Sequence, residues 1–161
     1  MNQEVLKAKK ETVAEIVSKA KASQTIVVAE YRGLTVSKLQ ELRRALRAEN
    51  AGMFVYKNSL VEKACDELGY TDLKSYLSGP NAIFFSEDVS NGAKVISKFA
   101  KKNEALVIKG GVVEGKVVDA AGIKEVATLP GREGLLSMFL SCLQAPVRQF
   151  ACAVKAVADA K

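Results

Sequence analysis

Four of the six arginines in this chain lie within sixteen residues, at Arg32, Arg43, Arg44 and Arg47. The planar guanidinium group donates several hydrogen bonds at once and matches the geometry of phosphate oxygens and base edges. Residues 1–63 hold 12 Lys+Arg and 7 Asp+Glu, which accounts for +5 of the net charge of +6. The first third of the chain is therefore a candidate surface for binding a nucleic acid.

Catalytic chemistry has little support in the 161 residues, because the chain contains no histidine. It therefore offers no Ser-His-Asp or Cys-His nucleophile pair and no imidazole metal ligand. An enzyme is still conceivable through Gly110, Gly115 and Lys116, which match most of a phosphate-binding loop. However, Val117 stands where a Ser or Thr would hold magnesium, and no helix is expected to begin there. We predict no enzyme, no cofactor and no metal site.

The three cysteines, Cys65, Cys142 and Cys152, are odd in number and far apart, which fits neither a disulfide framework nor a zinc site. We expect all three to be small buried residues in a reduced compartment. The first 25 residues carry charges every few positions and lack the apolar core of a signal peptide. No stretch approaches the roughly 18 apolar residues that a membrane helix needs. These features favour a cytoplasmic protein without a membrane partner.

Periodic patterns divide the first 130 residues into alternating helices and strands. Apolar residues at three- and four-residue spacing predict helices over 4–21, 35–48, 59–68, 89–101 and 120–128. Runs of β-branched residues predict strands over 25–31, 53–56, 81–85, 106–113 and 116–118. We expect Gly52 to end the second helix and Glu114-Gly115 to form a hairpin turn. The order strand, helix, strand indicates a crossover unit, and thus an α/β (α+β) domain with a mixed sheet over residues 1–130.

The second predicted helix separates leucines from arginines, which fall on an adjacent arc of about 100°. Beside it lie Arg32, at the end of one strand, and Lys57-Asn58, at the end of the next. Such a cationic array would clamp a folded RNA by its phosphates. The alternative is a solvated helix face whose arginines pair with Glu41 and Glu49. Base stacking is not expected, because the aromatic residues of this region lie in predicted strands and suit a core.

Residues 135–158 form an apolar segment in which 17 of 24 residues are apolar and only Arg148 and Lys155 are charged. Seven apolar residues step alternately by four and three: Leu136, Leu140, Leu143, Val147, Phe150, Val154 and Val157. This seam is typical of a helix that packs on partner helices. Pro146 lacks an N–H, so we expect a long helix that kinks or restarts there. Residues 131–161 are thus predicted to bind other chains; the alternative is a free-standing RNA regulator whose last helix only completes its fold.

Several short motifs follow one another along nearly the whole chain. They are Tyr31-Arg-Gly-Leu-Thr-Val36, Leu39-x-x-Leu42-Arg43, Val55-x-Lys-Asn-Ser-Leu60, Leu77-x-Gly-Pro80, Lys109-Gly-Gly111, Leu129-Pro130 and Leu143-Gln-Ala-Pro146. In this order and spacing the chain resembles the family of bacterial ribosomal protein L-ten, the stalk-base proteins of the large ribosomal subunit. The chain departs from the family at Ser59, where Thr is usual, and at Gly131 and Gly134, where Ser and Glu are common.

The resemblance implies a domain that binds large-subunit rRNA beside ribosomal protein L-eleven, and a jointed helix that carries dimers of the acidic L-seven/L-twelve stalk protein. Those dimers recruit translational GTPases, so the family member itself needs no active site. In some bacteria the stalk complex also represses translation of its own messenger. If each dimer covers about ten residues of helix, or roughly 15 Å, residues 145–161 have room for about two dimers.

The resemblance also implies which residues face the rRNA. Carried over by motif, they are Arg32, Gly33, Arg43, Lys57, Asn58 and Ser59. The helix geometry and the local charge add Arg44, Arg47 and Lys63 to this set. The apolar seam of residues 136–157 is the expected site for the stalk protein.

Overall fold

The computed structural model describes residues 3–159, apart from the side chains of Val5 and Arg132. The chain forms two compact units, one extending to Leu129 and the other beginning at Pro130. The described strands of the first unit are β1 (Thr25–Glu30), β2 (Ala51–Phe54), β3 (Asn81–Ser86), β4 (Val107–Val113) and β5 (Lys116–Asp119). Its helices are α1 (Gln3–Ala22), α2 (Val36–Ala48), α3 (Asn58–Leu68), α4 (Asn91–Lys102) and α5 (Ala120–Thr128), with a 3-10 helix over Thr71–Tyr76. The second unit contains one long helix, α6 (Arg132–Asp159).

Every helix and strand predicted from the sequence is present, with its ends shifted by one or two residues, and the α/β class is confirmed. Gly52, however, does not end α2, because it lies inside β2. The helix ends at Ala48, Glu49 caps it, and Asn50 follows in the left-handed conformation with φ 51°. Asn tolerates that conformation better than most residues, so it makes the turn that was assigned to the glycine.

The five strands form one sheet in the order β2-β3-β1-β4-β5. All four pairings are antiparallel, so the expectation of a mixed sheet was wrong. Strands β1 and β2 do point the same way, but β3 lies between them and pairs antiparallel with both. The predicted crossover was therefore correct in that β1 and β2 point the same way, but wrong in that the two strands are not neighbours in the sheet. Its consequence is that β1 and β2 end at the same edge, where β3 begins.

Helices cover both faces of the sheet, and each face has its own apolar core. On one face, Ile26 and Val28 of β1 pack with residues of α1, α3 and the 3-10 helix. On the other, Val27 and Ala29 pack with residues of α2, α4 and α5. Because successive strand residues point to opposite faces, the uninterrupted apolar run of β1 supplies both cores.

The cysteines divide between the two units. Cys65 is buried in α3, as predicted, but Cys142 and Cys152 are exposed on α6, so the expectation of three buried cysteines was wrong. Burial raises the pKa of the Cys65 thiol to about 11. It therefore stays protonated and unreactive at neutral pH.

We expect a thiol reagent at pH 8 to modify two cysteines of the native chain rapidly and the third only after denaturation, because the reactive species is an accessible thiolate. Counting modified thiols by absorbance and by peptide mass checks this. The double variant Cys142→Ser/Cys152→Ser is the control, in which rapid native labelling should vanish. Rapid labelling of Cys65 in the native chain would contradict its burial.

The sequence predicted a long helix that either kinks or restarts at Pro146, and α6 is continuous through Pro146, so the restart is excluded. Without an N–H, the proline leaves the carbonyl of Cys142 without its intrahelical donor, but the helical backbone continues on both sides. None of the helices within residues 3–159 is long and apolar enough to cross a membrane.

Candidate nucleic-acid interface

The residues predicted to face RNA fall into two groups in the first unit. One group lies where β1 and β2 end: Arg32 and Gly33 follow β1, and Lys57 to Ser59 begin α3 after β2. The loop that leads into β3, with Gly79 and Pro80, joins them there. We call this group, with its loop, the strand-end surface. Of its predicted RNA-facing residues, only Asn58 is half-buried, and the others are exposed.

A tight turn presents Arg32 to solvent. The N–H of Leu34 donates to the carbonyl of Tyr31 over 3.2 Å, and Gly33 has φ 90°. A positive φ at the third position is typical of a type II turn, which explains the glycine. Thr35 then caps α2 by accepting a hydrogen bond from the N–H of Lys38. The Arg32 side chain thus stands at a corner whose backbone is held at both ends.

Asn58 has a structural task within the strand-end surface. Its side-chain Nδ2 donates to the carbonyl of Gly79 over 2.9 Å, and the N–H of Tyr31 donates to the carbonyl of Pro80 over 3.4 Å. These two bonds tie the Gly79-Pro80 loop to the start of α3 and to the end of β1. One donor of Asn58 is therefore already used inside the protein, whereas the neighbouring Lys57 and Ser59 remain exposed.

Lys109 also holds this arrangement together, a role that the sequence did not predict. The register of β1 against β4 shifts between Val28 and Ala29, which leaves Lys109 as the extra residue of a bulge. Its Nζ lies 2.8 Å from Oε2 of Glu30, 2.5 Å from the carbonyl of Ser78 and 3.1 Å from Oδ1 of Asn81. The ammonium group of Lys109 therefore holds the loop before β3 in place and is not available to an external partner. A lone Lys within a β-branched run was the available signal.

The second group is the arginine face of α2. Leu42 and Leu46 are fully buried, whereas Arg43, Arg44 and Arg47 are exposed, so the predicted separation of a core face from a donor face is confirmed. Helix α2 begins near the strand-end surface and runs away from it, which puts Arg47 about 17 Å along the axis from the first helical residue.

The nine predicted residues are divided between the two helix layers that cover the sheet and the edge where β1 and β2 end. Lys63 lies on α3, which covers the opposite face of the sheet from α2. The structure therefore brings Arg32 and Gly33 together with Lys57, Asn58 and Ser59. Lys63 lies on the same helix one turn after Ser59, whereas the α2 arginines lie along a different helix layer.

The alternative prediction paired the arginines of α2 with Glu41 and Glu49, and the structure contains no such ion pair among the described residues. Within residues 3–159 the ion pairs are Lys19–Glu15, Lys74–Asp66 and Lys109–Glu30, and no described arginine takes part in one. The guanidinium groups of Arg32 and of the α2 face thus remain available to an external acceptor.

Two further expectations concern aromatic residues and the glycine loop. Phe54 stacks on Tyr56 with ring centroids 5.9 Å apart, and both pack against the core, which agrees with a structural role. Glu114 and Gly115, with φ 49° and 80°, form a two-residue hairpin turn. Lys116 begins strand β5, so the glycine loop does not lead into a helix N-terminus.

The second unit presents the apolar seam to solvent. All seven predicted residues are exposed, with between 54% and 74% of each side chain's surface accessible: Leu136, Leu140, Leu143, Val147, Phe150, Val154 and Val157. A monomer gains no stability from exposing this many apolar residues to water.

Unpaired arginines in the first unit and an exposed apolar helix in the second are features of a binding protein without an active site, and the comparisons with known proteins identify a class of ribosomal proteins. Residues 4–101 match the family model of Ribosomal protein L10, and residues 129–161 match that of the Ribosomal protein uL10 C-terminal region. The chain is 53% identical over 158 residues to Large ribosomal subunit protein uL10 of Bacillus cereus and, equally, of Bacillus anthracis. These alignments cover 98% of this chain and 95% of each relative.

The chain therefore belongs to the ribosomal protein L10 family, which confirms the resemblance found in its motifs. This family consists of structural, non-enzymatic ribosomal proteins. Membership implies association with the large ribosomal subunit and its rRNA, in the cytoplasm.

Proposed function

We propose that this protein is the base of the ribosomal stalk. Its first unit binds large-subunit rRNA beside ribosomal protein L-eleven, and its terminal helix carries dimers of the acidic L-seven/L-twelve protein, which recruit translational GTPases. The observation that carries this proposal is the exposed seam of α6, a 28-residue helix whose apolar side chains are exposed to water.

The length of α6 is consistent with more than one bound dimer. At 1.5 Å per residue, its 28 residues extend about 42 Å. If a dimer covers about ten residues, or roughly 15 Å, the part from Ala145 onward accommodates about two dimers. Each would bury exposed leucine, valine and phenylalanine side chains, and that burial supplies the binding free energy.

The rRNA contacts, in this proposal, come from the strand-end surface and from the arginine face of α2. The exposed side chains at Arg32, Lys57 and Ser59 support a phosphate contact at one edge, and the unpaired arginines support a second along α2. Lys63, one turn after Ser59 on α3, would extend the contact of the strand-end surface along that helix, away from the α2 arginines. Repression of its own messenger, where it occurs, would use the same surfaces.

Replacing Arg43 or Arg44 with alanine should weaken binding to the rRNA fragment and flatten its dependence on salt. Each lost phosphate contact reduces the slope of log K against log[salt] by about 0.7 to 0.9. Filter binding or anisotropy between 50 and 200 mM salt, roughly the range over which such contacts are lost, measures that slope.

Lys116→Ala provides the matched control, because Lys116 is an exposed cation at the hairpin turn, outside both groups. Its slope should equal that of the unaltered protein. Unchanged slopes for the two arginine variants would mean that this face only meets solvent. An equal loss for Lys116→Ala would mean that charge acts without a defined interface.

A further inference from the structure

A groove between α4, α5 and the start of β4 is lined by none of the residues assigned to RNA, although it adjoins the strand-end surface, where Val107 pairs with Glu30 of β1. It encloses about 700 Å³. Four lysines line it, at positions 94, 98 and 101 of α4 and 124 of α5, against one carboxylate, Glu104. Residues 64–130 carry 8 Lys+Arg and 9 Asp+Glu, so counting charges along the sequence hid this local excess.

The groove lysines are free to bind an outside partner. Lys98, Lys101 and Lys124 are exposed and Lys94 is half-buried. Within residues 3–159, none of them takes part in an ion pair. Apart from the single carboxylate of Glu104 in the groove, their charge is balanced by water and by ions from solution, and an acidic partner would complement it.

The floor of the groove is apolar. Leu106 and Ile108 are buried there, and Val107 between them is 53% exposed although it lies in a strand of the central sheet. The side chains of Ala100 and Ala127 also line the groove and add to its apolar surface. An RNA backbone gains nothing by covering a valine, whereas an apolar side chain of a protein does.

Three lysines on α4 are spaced to pair with acidic residues of a second helix. Lys94, Lys98 and Lys101 lie at intervals of four and three residues, or about 6 Å and 4.5 Å along the α4 axis. Carboxylates at the same intervals on a helix laid beside α4 would each meet one lysine, while its apolar side contacts Val107. The burial would supply affinity, and the charges would set register and exclude basic partners.

We propose that this groove, lined by Lys94, Lys98, Lys101 and Lys124 over an apolar floor at Val107, binds an acidic amphipathic helix of a partner protein. None of its lining residues belongs to the seam of α6 or to the residues assigned to RNA, and it gives the first unit a protein partner as well as an RNA partner.

Photo-cross-linking in assembled ribosomes tests this, with p-benzoylphenylalanine placed at Val107 of the full chain and, separately, at Thr128 on the α5 side of the groove. We expect both probes to cross-link to the same protein segment, with three or more Asp or Glu on one helical face. The same probe at Val36, an exposed valine of α2 outside the groove, should not reach that segment.

The lysines provide the second measurement. Lys98→Gln/Lys101→Gln should lower the cross-link yield at least tenfold, whereas Lys102→Gln, on the same helix but outside the groove, should leave it unchanged. Unaltered melting temperatures would show that these surface variants fold. A cross-link only to rRNA, only to a second copy of this chain, or to nothing from either probe would overturn the proposal. So would a protein cross-link that is insensitive to the two lysines.

Discussion

Alanine at Gly111 is expected to lower the free energy of unfolding by about 3 kcal/mol. Gly111 lies in β4 directly opposite Val27 of β1, in the middle of the sheet. A Cβ at this position would lie 2.2 Å from the carbonyl oxygen of Ile26 and 3.1 Å from the Cα of Val27. Both are backbone atoms, so the clash is relieved only by separating two paired strands.

Denaturant unfolding followed by circular dichroism measures this loss. Gly69→Ala is the control, since it also replaces a glycine but has no heavy atom within 4 Å of the added methyl. Its cost should be about 1 kcal/mol, from the φ of 81° at the end of α3. Equal losses for the two variants would show that backbone conformation, and not the contact with β1, determines the effect at Gly111.

Deleting residues 135–161 is expected to abolish capture of the L-seven/L-twelve protein while the first unit still folds and binds its rRNA fragment. The deletion removes nearly all of α6 with its exposed seam, and the two apolar cores of the first unit contain none of its residues. Co-expression followed by native mass spectrometry gives the size of the complex. Thermal unfolding and RNA binding of the truncated chain complete the measurement.

Charge placed in the seam tests the same proposal in the full chain. Phe150→Glu should lower the number of dimers carried, because a buried charge without a partner costs several kcal/mol. Gln149→Glu adds the same charge beside the seam and should leave the complex intact. If the truncated chain unfolds, or if both point variants bind equally well, α6 is not the stalk-protein site.

Helices and strands were predictable because their signals are local. The three- and four-residue spacing of α2 and the β-branched run of β1 each span one element, and a side chain's preference for an element does not need the rest of the chain. The turn at Asn50 after α2 was missed for the same reason. Gly52 is the stronger local signal for a turn, but pairing of Ala51 to Phe54 with β3 draws it into a strand.

The strand-end surface was only partly predictable. Arg32 and Lys57 were identified because each follows a strand, and strands that point the same way end at one edge. The loop of Gly79 and Pro80, and Lys109 behind it, come from distant parts of the chain and meet Arg32 and Lys57 only through the β1 pairings with β3 and β4. The lysine-lined groove was invisible for a related reason, since its α4 and α5 walls are separated by a β-hairpin.

The sequence by itself determined the class, the arginine face of α2 and the apolar periodicity of α6, because composition and periodicity act within one helix or one strand. Only the tertiary structure decided that Lys109 pairs with Glu30, that Lys63 lies across the sheet from the arginines of α2, and that four lysines share one groove. Those relationships depend on strand order and on which face each helix covers. Both are set by long-range pairing and by the burial of apolar surface from the whole chain.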